Sequence, residues 1–269
     1  MSIQIQNTRD LTKTEGFRAK ILVVARSRAG KTTFAATAPN PGVAACETGH
    51  GAGLLSIASK GVDYFVPTSL EDLDALASGH IFKDKDTIVL DSLSAMARTI
   101  IKDFAIHIPR RGATSPKREQ GVPELDDYGV MAEITRRILD AIIDLPKHVV
   151  VTALERTEKD AEGTPTACGP DLPGQMFLAA PAMFDTVLYL KVRKAFRDPR
   201  DPKSVFYERY FITQPDGYHI GGDRNNLSGK NILQREEVFD PERNRGTFED
   251  IFKKLTTAYA GLKQPAVAV

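Results

Sequence analysis

The chain has 269 residues, 42% hydrophobic and 26% charged, and its 36 Lys+Arg stand against 35 Asp+Glu for a formal net charge of +1. This is the composition of an ordinary globular protein with room for one large domain or two small ones, and it excludes disordered, fibrous and polybasic classes. Any affinity for nucleic acid has to be built from local charge.

Short β-branched runs at 21–24, 42–46, 64–67, 87–90, 149–153 and 186–192 alternate with helical patterns at 31–38, 92–106 and 128–145. That rhythm predicts an α/β fold with a mainly parallel, buried sheet flanked by helices. The helix at 128–145 carries Met131, Ile134, Ile138, Ile142 and Leu145 at 3/4 spacing and is stopped by Pro146. After residue 185, strand-like runs at 205–213 and 218–220 lie between turns rich in Pro, Gly and Asp, which predicts a β-hairpin-rich extension on one sheet edge. The expected division is an N-terminal segment at 1–17 that could make a subunit contact, a core at 18–235, and a C-terminal helix with a loose tail at 236–269. Cys46 and Cys168 have no zinc or disulfide spacing, and the first thirty residues show no secretory leader pattern. No apolar run approaches the roughly 20 residues of a bilayer span. The expected setting is a reducing cytoplasm, with no membrane partner.

The strongest motif runs from Ala25 through Arg26, Ser27, Arg28, Ala29, Gly30 and Lys31 to Thr32, after an apolar strand and at the start of a helix. That is the context of a phosphate-binding loop. Backbone amides of Ser27, Arg28, Ala29, Gly30, Lys31, Thr32 and Thr33 would cradle the phosphates of ATP, Lys31 would reach the β and γ oxygens, and the Thr32 hydroxyl would ligate Mg²⁺. Ala25 stands where Gly is usual, and its Cβ is expected to make the turn less permissive. The bland alternative is a strand-to-helix turn containing a chance Gly-Lys-Thr.

Asp91 ends the strand at 87–90 and is placed to support the metal, although Asp91 or Ser92 could equally cap the next helix. Ser92 follows where a catalytic Glu often sits, so the base that activates water must come from elsewhere. Glu47 is the candidate, ending the strand at 42–46 on the expected γ-phosphate side; otherwise it only caps the turn at 48–51.

Together these residues resemble the short phage RecA-core ATPases, a family of AAA-type nucleotide-binding proteins that includes phage single-strand annealing proteins. The resemblance rests on Gly30 to Ala35, Glu47 to Gly49, Val89 to Leu93, Tyr128-Gly129, Val149 to Ala153, and Pro170 to Gly174 followed by Phe184-Asp185, covering roughly 18–230. Leu154 departs from the family's polar residue two places after Thr152. The stretch Gly222 to Gly229 is similar to one that reaches a neighbouring ATP site in hexameric RecA-like helicases, which makes Arg224 a candidate arginine finger in trans.

The resemblance implies an ATPase that oligomerises as a ring or filament and binds single-stranded DNA for annealing or strand exchange in recombination, with a single-strand-binding protein as a further candidate partner. DNA would meet the loop at 108–118, which holds Arg110, Arg111, Lys117 and Arg118 without an acid, and the basic stretch containing Lys191, Arg193 and Lys194. A second candidate DNA segment, 155–183, offers amides and Phe177. Each of these could instead be a solvated loop. Two other readings stay open: a P-loop kinase acting on a small molecule, and a nucleotide-gated helicase loader or adaptor.

Overall fold

The computed structural model describes residues 17–47, 52–108, 121–201, 203–227 and 230–260. The central strand β1 (Lys20–Ala25) is buried along almost its whole length, as its KILVVA sequence requires of a strand covered on both faces. It pairs in parallel with β5 (His148–Lys159) on one side and β7 (Thr186–Phe196) on the other. Beyond β5 follow β4 (Thr87–Asp91), β2 (Pro41–Ala45) and β3 (Asp63–Phe65), all parallel. Beyond β7 comes the antiparallel β8 (Val205–Ile212) and then, after the separate pair β9 (Asn226–Leu227) and β10 (Lys230–Asn231), the antiparallel β11 (Glu236–Phe239). β1, which leads into the Gly30-Lys31-Thr32 turn, and β4, which ends at Asp91, are thus separated by β5, and the whole is the mainly parallel α/β sheet flanked by helices.

Alternate residues of β1 divide the interior into two layers. Leu22 and Val24 join the core made with α2 (Leu70–Ala77), α3 (Leu93–Met96), α4 (Lys102–His107), α5 (Leu125–Ile143) and α6 (Met176–Ala182). Ile21 and Val23 join the core made with α1 (Lys31–Ala35) and α7 (Phe248–Ala260).

Several expectations are corrected. The helix expected at 128–145 begins a turn earlier, because Glu124 and Asp127 form a reciprocal capping box in which the Glu124 amide donates to Asp127 at 2.8 Å. The helix at 92–106 is interrupted by a π-helical turn at Ala97–Ile101. The expected strand at 218–220 is reduced to a single β-bridge between His219 and Cys168, since the Tyr218 and His219 amides both donate to the Asp216 carboxylate. The segment 155–183 is largely ordered: β5 runs on to Lys159, pairs antiparallel with β6 (Pro165–Pro170), and α6 follows. Phe177 is therefore no stacking platform; it is buried against Gly169, where a Cβ would lie 2.7 Å from its ring, with the Arg156 guanidinium 4.6 Å from the ring centroid. The core also extends past residue 235, because β11 completes the sheet and α7 covers α1 through Phe248, Ile251 and Leu255. Residues 1–16 and the tail lie outside the described residues, and no helix among those described is long and apolar enough to cross a membrane.

At the start of β5 the His148 ring meets Phe248 and Phe252 edge-on, and its Nδ1 accepts from the Ala19 amide at 3.1 Å, which requires the neutral imidazole. Burial, with Arg18 and Lys20 nearby, pushes its pKa down from 6.5 to about 4. Between those values the unfolded chain holds a proton that the folded chain refuses, so stability falls as the pH drops from 6.5 towards 4. Thermal melts across that window are expected to show this decline in the wild type and a flatter profile in His148→Asn.

Candidate functional site

The turn between β1 and α1 curls through two left-handed residues, Arg28 (φ 62°) and Gly30 (φ 112°), which turns successive amides inward over the helix start. Ala25 does not open this turn. It is the last residue of β1, in register with Leu154, so its Cβ sits in the core without strain and the expected penalty is absent. Ser27 and Arg28 are exposed, Ala29 is buried, and Gly30 and Thr33 are half-buried.

Lys31 is buried, and its ammonium donates to the carbonyls of Ala25 (3.3 Å) and Arg26 (3.0 Å), so its third N–H remains for a phosphate oxygen. Burial lowers its pKa, against the pull of Asp91, Glu47 and Glu155 in the other direction.

Asp91 ends β4 with only 5% of its surface exposed. Its Oδ2 accepts from the Thr32 hydroxyl at 2.6 Å, and its Oδ1 accepts from the Thr152 hydroxyl on β5. The peptide between Asp91 and Ser92 is cis. Capping falls to Ser92, whose hydroxyl accepts from the Ala95 amide at 3.3 Å, so the carboxylate of Asp91 is not the helix cap. Glu47 follows β2 one strand over, exposed, with Oε1 3.5 Å from the Ser92 hydroxyl.

Lys31, Thr32, Asp91 and Glu47 therefore meet at the carboxyl ends of β1, β4 and β2. Their donors suit a magnesium nucleotide: a hydroxyl and a carboxylate are hard oxygen ligands. Among the described residues no cluster of three or more His, Cys, Asp or Glu could cage a metal, so phosphate oxygens and water would complete the shell.

A family model described as an AAA domain, AAA_24, matches residues 18–225. The chain belongs to the AAA_24 family. It is an AAA-type P-loop ATPase domain built for nucleotide binding. Comparison with curated protein sequences found no match. Among solved structures, the chain is similar to the flagellar accessory protein FlaH from Methanocaldococcus jannaschii, with 13% identity, a TM-score of 0.40, and 87% of this chain and 92% of that one covered.

Other expected site residues of this AAA_24 domain lie elsewhere. Arg224 sits at the opposite end of the central strands: its amide donates to Asp185 O at 2.9 Å, its guanidinium donates to Ala182 O, and the Asp185 amide in turn donates to Lys20 O at the start of β1. It is far from its own phosphate loop. Arg110, Arg111, Lys117 and Arg118 lie outside the described residues. Lys191 pairs with Glu155 at 2.8 Å, and Arg193 reaches both Glu208 and Glu236 at 2.6 Å while lying over the Tyr210 ring. Lys194 is exposed, 5.5 Å from the Phe196 ring.

Two site residues escaped the sequence reading. Thr152 was visible as the one hydroxyl in a valine-rich buried strand. Glu155 had no local signal, since its partners Arg26 and Lys191 are distant in the chain; it ties the start of the phosphate loop to β7 with 2.8 Å contacts to each. Its burial raises the carboxyl pKa, but the bonds from Lys191 and Arg26 outweigh that and hold it below the usual range.

Thr152→Val keeps the volume but leaves a buried carboxylate oxygen without its donor. It is expected to cost about 1–3 kcal/mol, read from the denaturant midpoint at constant slope. An unchanged midpoint would mean the hydroxyl does not hold Asp91.

Proposed function

We propose that this AAA_24 protein is a Mg²⁺-dependent ATPase that acts as an assembly of its own copies on single-stranded DNA, in annealing or strand exchange during phage recombination. The observation that carries the ATPase part is the hydrogen-bonded set Thr32, Asp91 and Thr152 beside the buried Lys31, with Glu47 next to it. When bound, Mg²⁺ supplies charge neutralisation for the phosphates. Thr32 and Asp91 hold its shell, Lys31 and the loop amides fix the phosphates, and Glu47 orients a water and accepts its proton.

The DNA part is supported by the sequence of the loop at 108–118, with four cations and no acid, and by the family resemblance. Arg224 would act in trans only if a neighbour presents the amino ends of its central strands to the phosphate loop, which is a head-to-tail assembly. One observation favours the kinase reading: beyond Glu47 lies a cleft of about 630 Å³ lined by Thr68, Arg98, Lys102 and Asp103, where an acceptor could sit.

Glu47→Gln is expected to keep ATP affinity and lose about a hundredfold or more in turnover, whereas Lys31→Ala is expected to lose affinity itself. Unchanged ATP binding by Lys31→Ala would remove the P-loop assignment. Phosphate release is expected to rise with single-stranded DNA, to weaken steeply with salt, and to lose its stimulation when Arg110, Arg111, Lys117 and Arg118 are all changed to Ala. ATP consumption without phosphate release would point to a kinase instead.

A further inference from the structure

β7 and β8 continue as a two-stranded ribbon past the end of β1. Residue 189 of β7 is level with Val24, and the paired strands run on to Phe196 and Val205. Along one face of this ribbon the cross-strand pair Leu190 and Phe211 packs on α1, where the Phe211 and Phe34 rings are 5.0 Å apart. The next pair on the same face is Val192 and Arg209, about 7 Å further out at some 3.4 Å per residue. That step carries the ribbon from the buried body of α1 to its first residues. Arg209 accordingly lies against the phosphate loop: a Cβ on Gly30 would be 3.4 Å from both its Cδ and its Nε.

Two neighbouring cations are consumed by acids, Lys191 by Glu155 and Arg193 by Glu208 and Glu236, and Lys194 stands further out beside the Phe196 ring. Arg209 is exposed, and no hydrogen bond, ion pair or ring contact engages its guanidinium among the described residues. An arginine whose stem rests on the loop glycine and whose fork is free has the chemistry of a phosphate clamp.

We propose that Arg209 binds the phosphates of the nucleotide in the same subunit, on the side leading to the nucleoside. The inference rests on the nucleotide-site reading above. The side follows from the sheet order. Thr152, Asp91 and Glu47 stand on the β5, β4 and β2 flank of β1, where the metal and the γ-phosphate belong, while Arg209 stands on the β7 and β8 flank. It therefore meets the α- and β-phosphates, which ADP and ATP share, and strengthens binding of both without acting on the transferred group.

The test uses the full chain with Mg²⁺ and fluorescent ADP and ATP analogues. Arg209→Met keeps an unbranched stem against Gly30 and Leu190 and removes the charge. It is expected to weaken both nucleotides about tenfold or more, raising KM with kcat within about twofold. Arg209→Lys, which keeps charge without the fork, is expected to fall between, and it replaces the Met variant if that one melts early. Lys203→Ala, an equal loss of charge at the far end of the ribbon, is expected to bind as wild type.

Wild-type affinity in Arg209→Met, or a loss confined to ATP or to kcat, overturns the inference. If the wild type binds and Lys31→Ala does not, either result leaves the nucleotide site standing. A wild type that binds neither nucleotide overturns both readings.

Discussion

A carboxylate is costly to bury without partners, and Asp91 is almost entirely buried. Its two oxygens are satisfied by hydroxyls from two different elements, Thr32 on α1 and Thr152 on β5. Those three residues are separated by about sixty positions each way in the chain, so the contact exists only if β1, β5 and β4 are in one register. A slip by one residue would turn Thr152 to the opposite face and place Val151 or Ala153 against the acid. The geometry that makes the site is therefore also a condition on the sheet.

The near-zero net charge has a structural counterpart. On the β7 and β8 side, basic residues are matched to acids: Arg26 and Lys191 to Glu155, Arg193 to Glu208 and Glu236, Lys254 to Glu237 and Asp250. Several of these pairs are exposed and contribute little to stability individually. Their effect is on the field, since they cancel a basic stretch that reads from sequence as a ready contact for polyanions. What the pairing leaves uncancelled on that ribbon, Arg209 among them, carries more of the attraction for phosphate than the total charge suggests.

Much of the core was legible because its signals are local. β1, β4 and the first half of β5 are runs of β-branched and other apolar residues with no polar alternation, and the Gly30-Lys31-Thr32 turn punctuates the first of them. The beginning of α5 was missed although its capping box was written at Glu124 and Asp127, because apolar spacing dominated the reading; α2 was missed with the same kind of signal at Ser69 and Asp72. Elements with no local signal were out of reach. β6 is formed by pairing with the outer half of β5, whose side chains are polar, and its glycine exists to admit Phe177 from α6. Glu155 and Arg209 likewise acquire meaning only from partners brought in by the sheet.

The two flanks of β1 differ in chemistry. On one, Asp91 gathers the hydroxyls of Thr32 and Thr152, and Glu47 stands one strand further out, joined to β4 through Ser92 and through the 2.7 Å bond from the Cys46 amide to Asp91 O. The two carboxylates thus stand at the ends of different strands, Asp91 buried between two hydroxyls and Glu47 exposed beside Ser92. On the other flank lie only cations, aromatic rings and apolar side chains on the ribbon face that continues from α1. A triphosphate laid across β1 would pass from a positive wall to a negative one, a polarity that would favour its γ end towards Glu47.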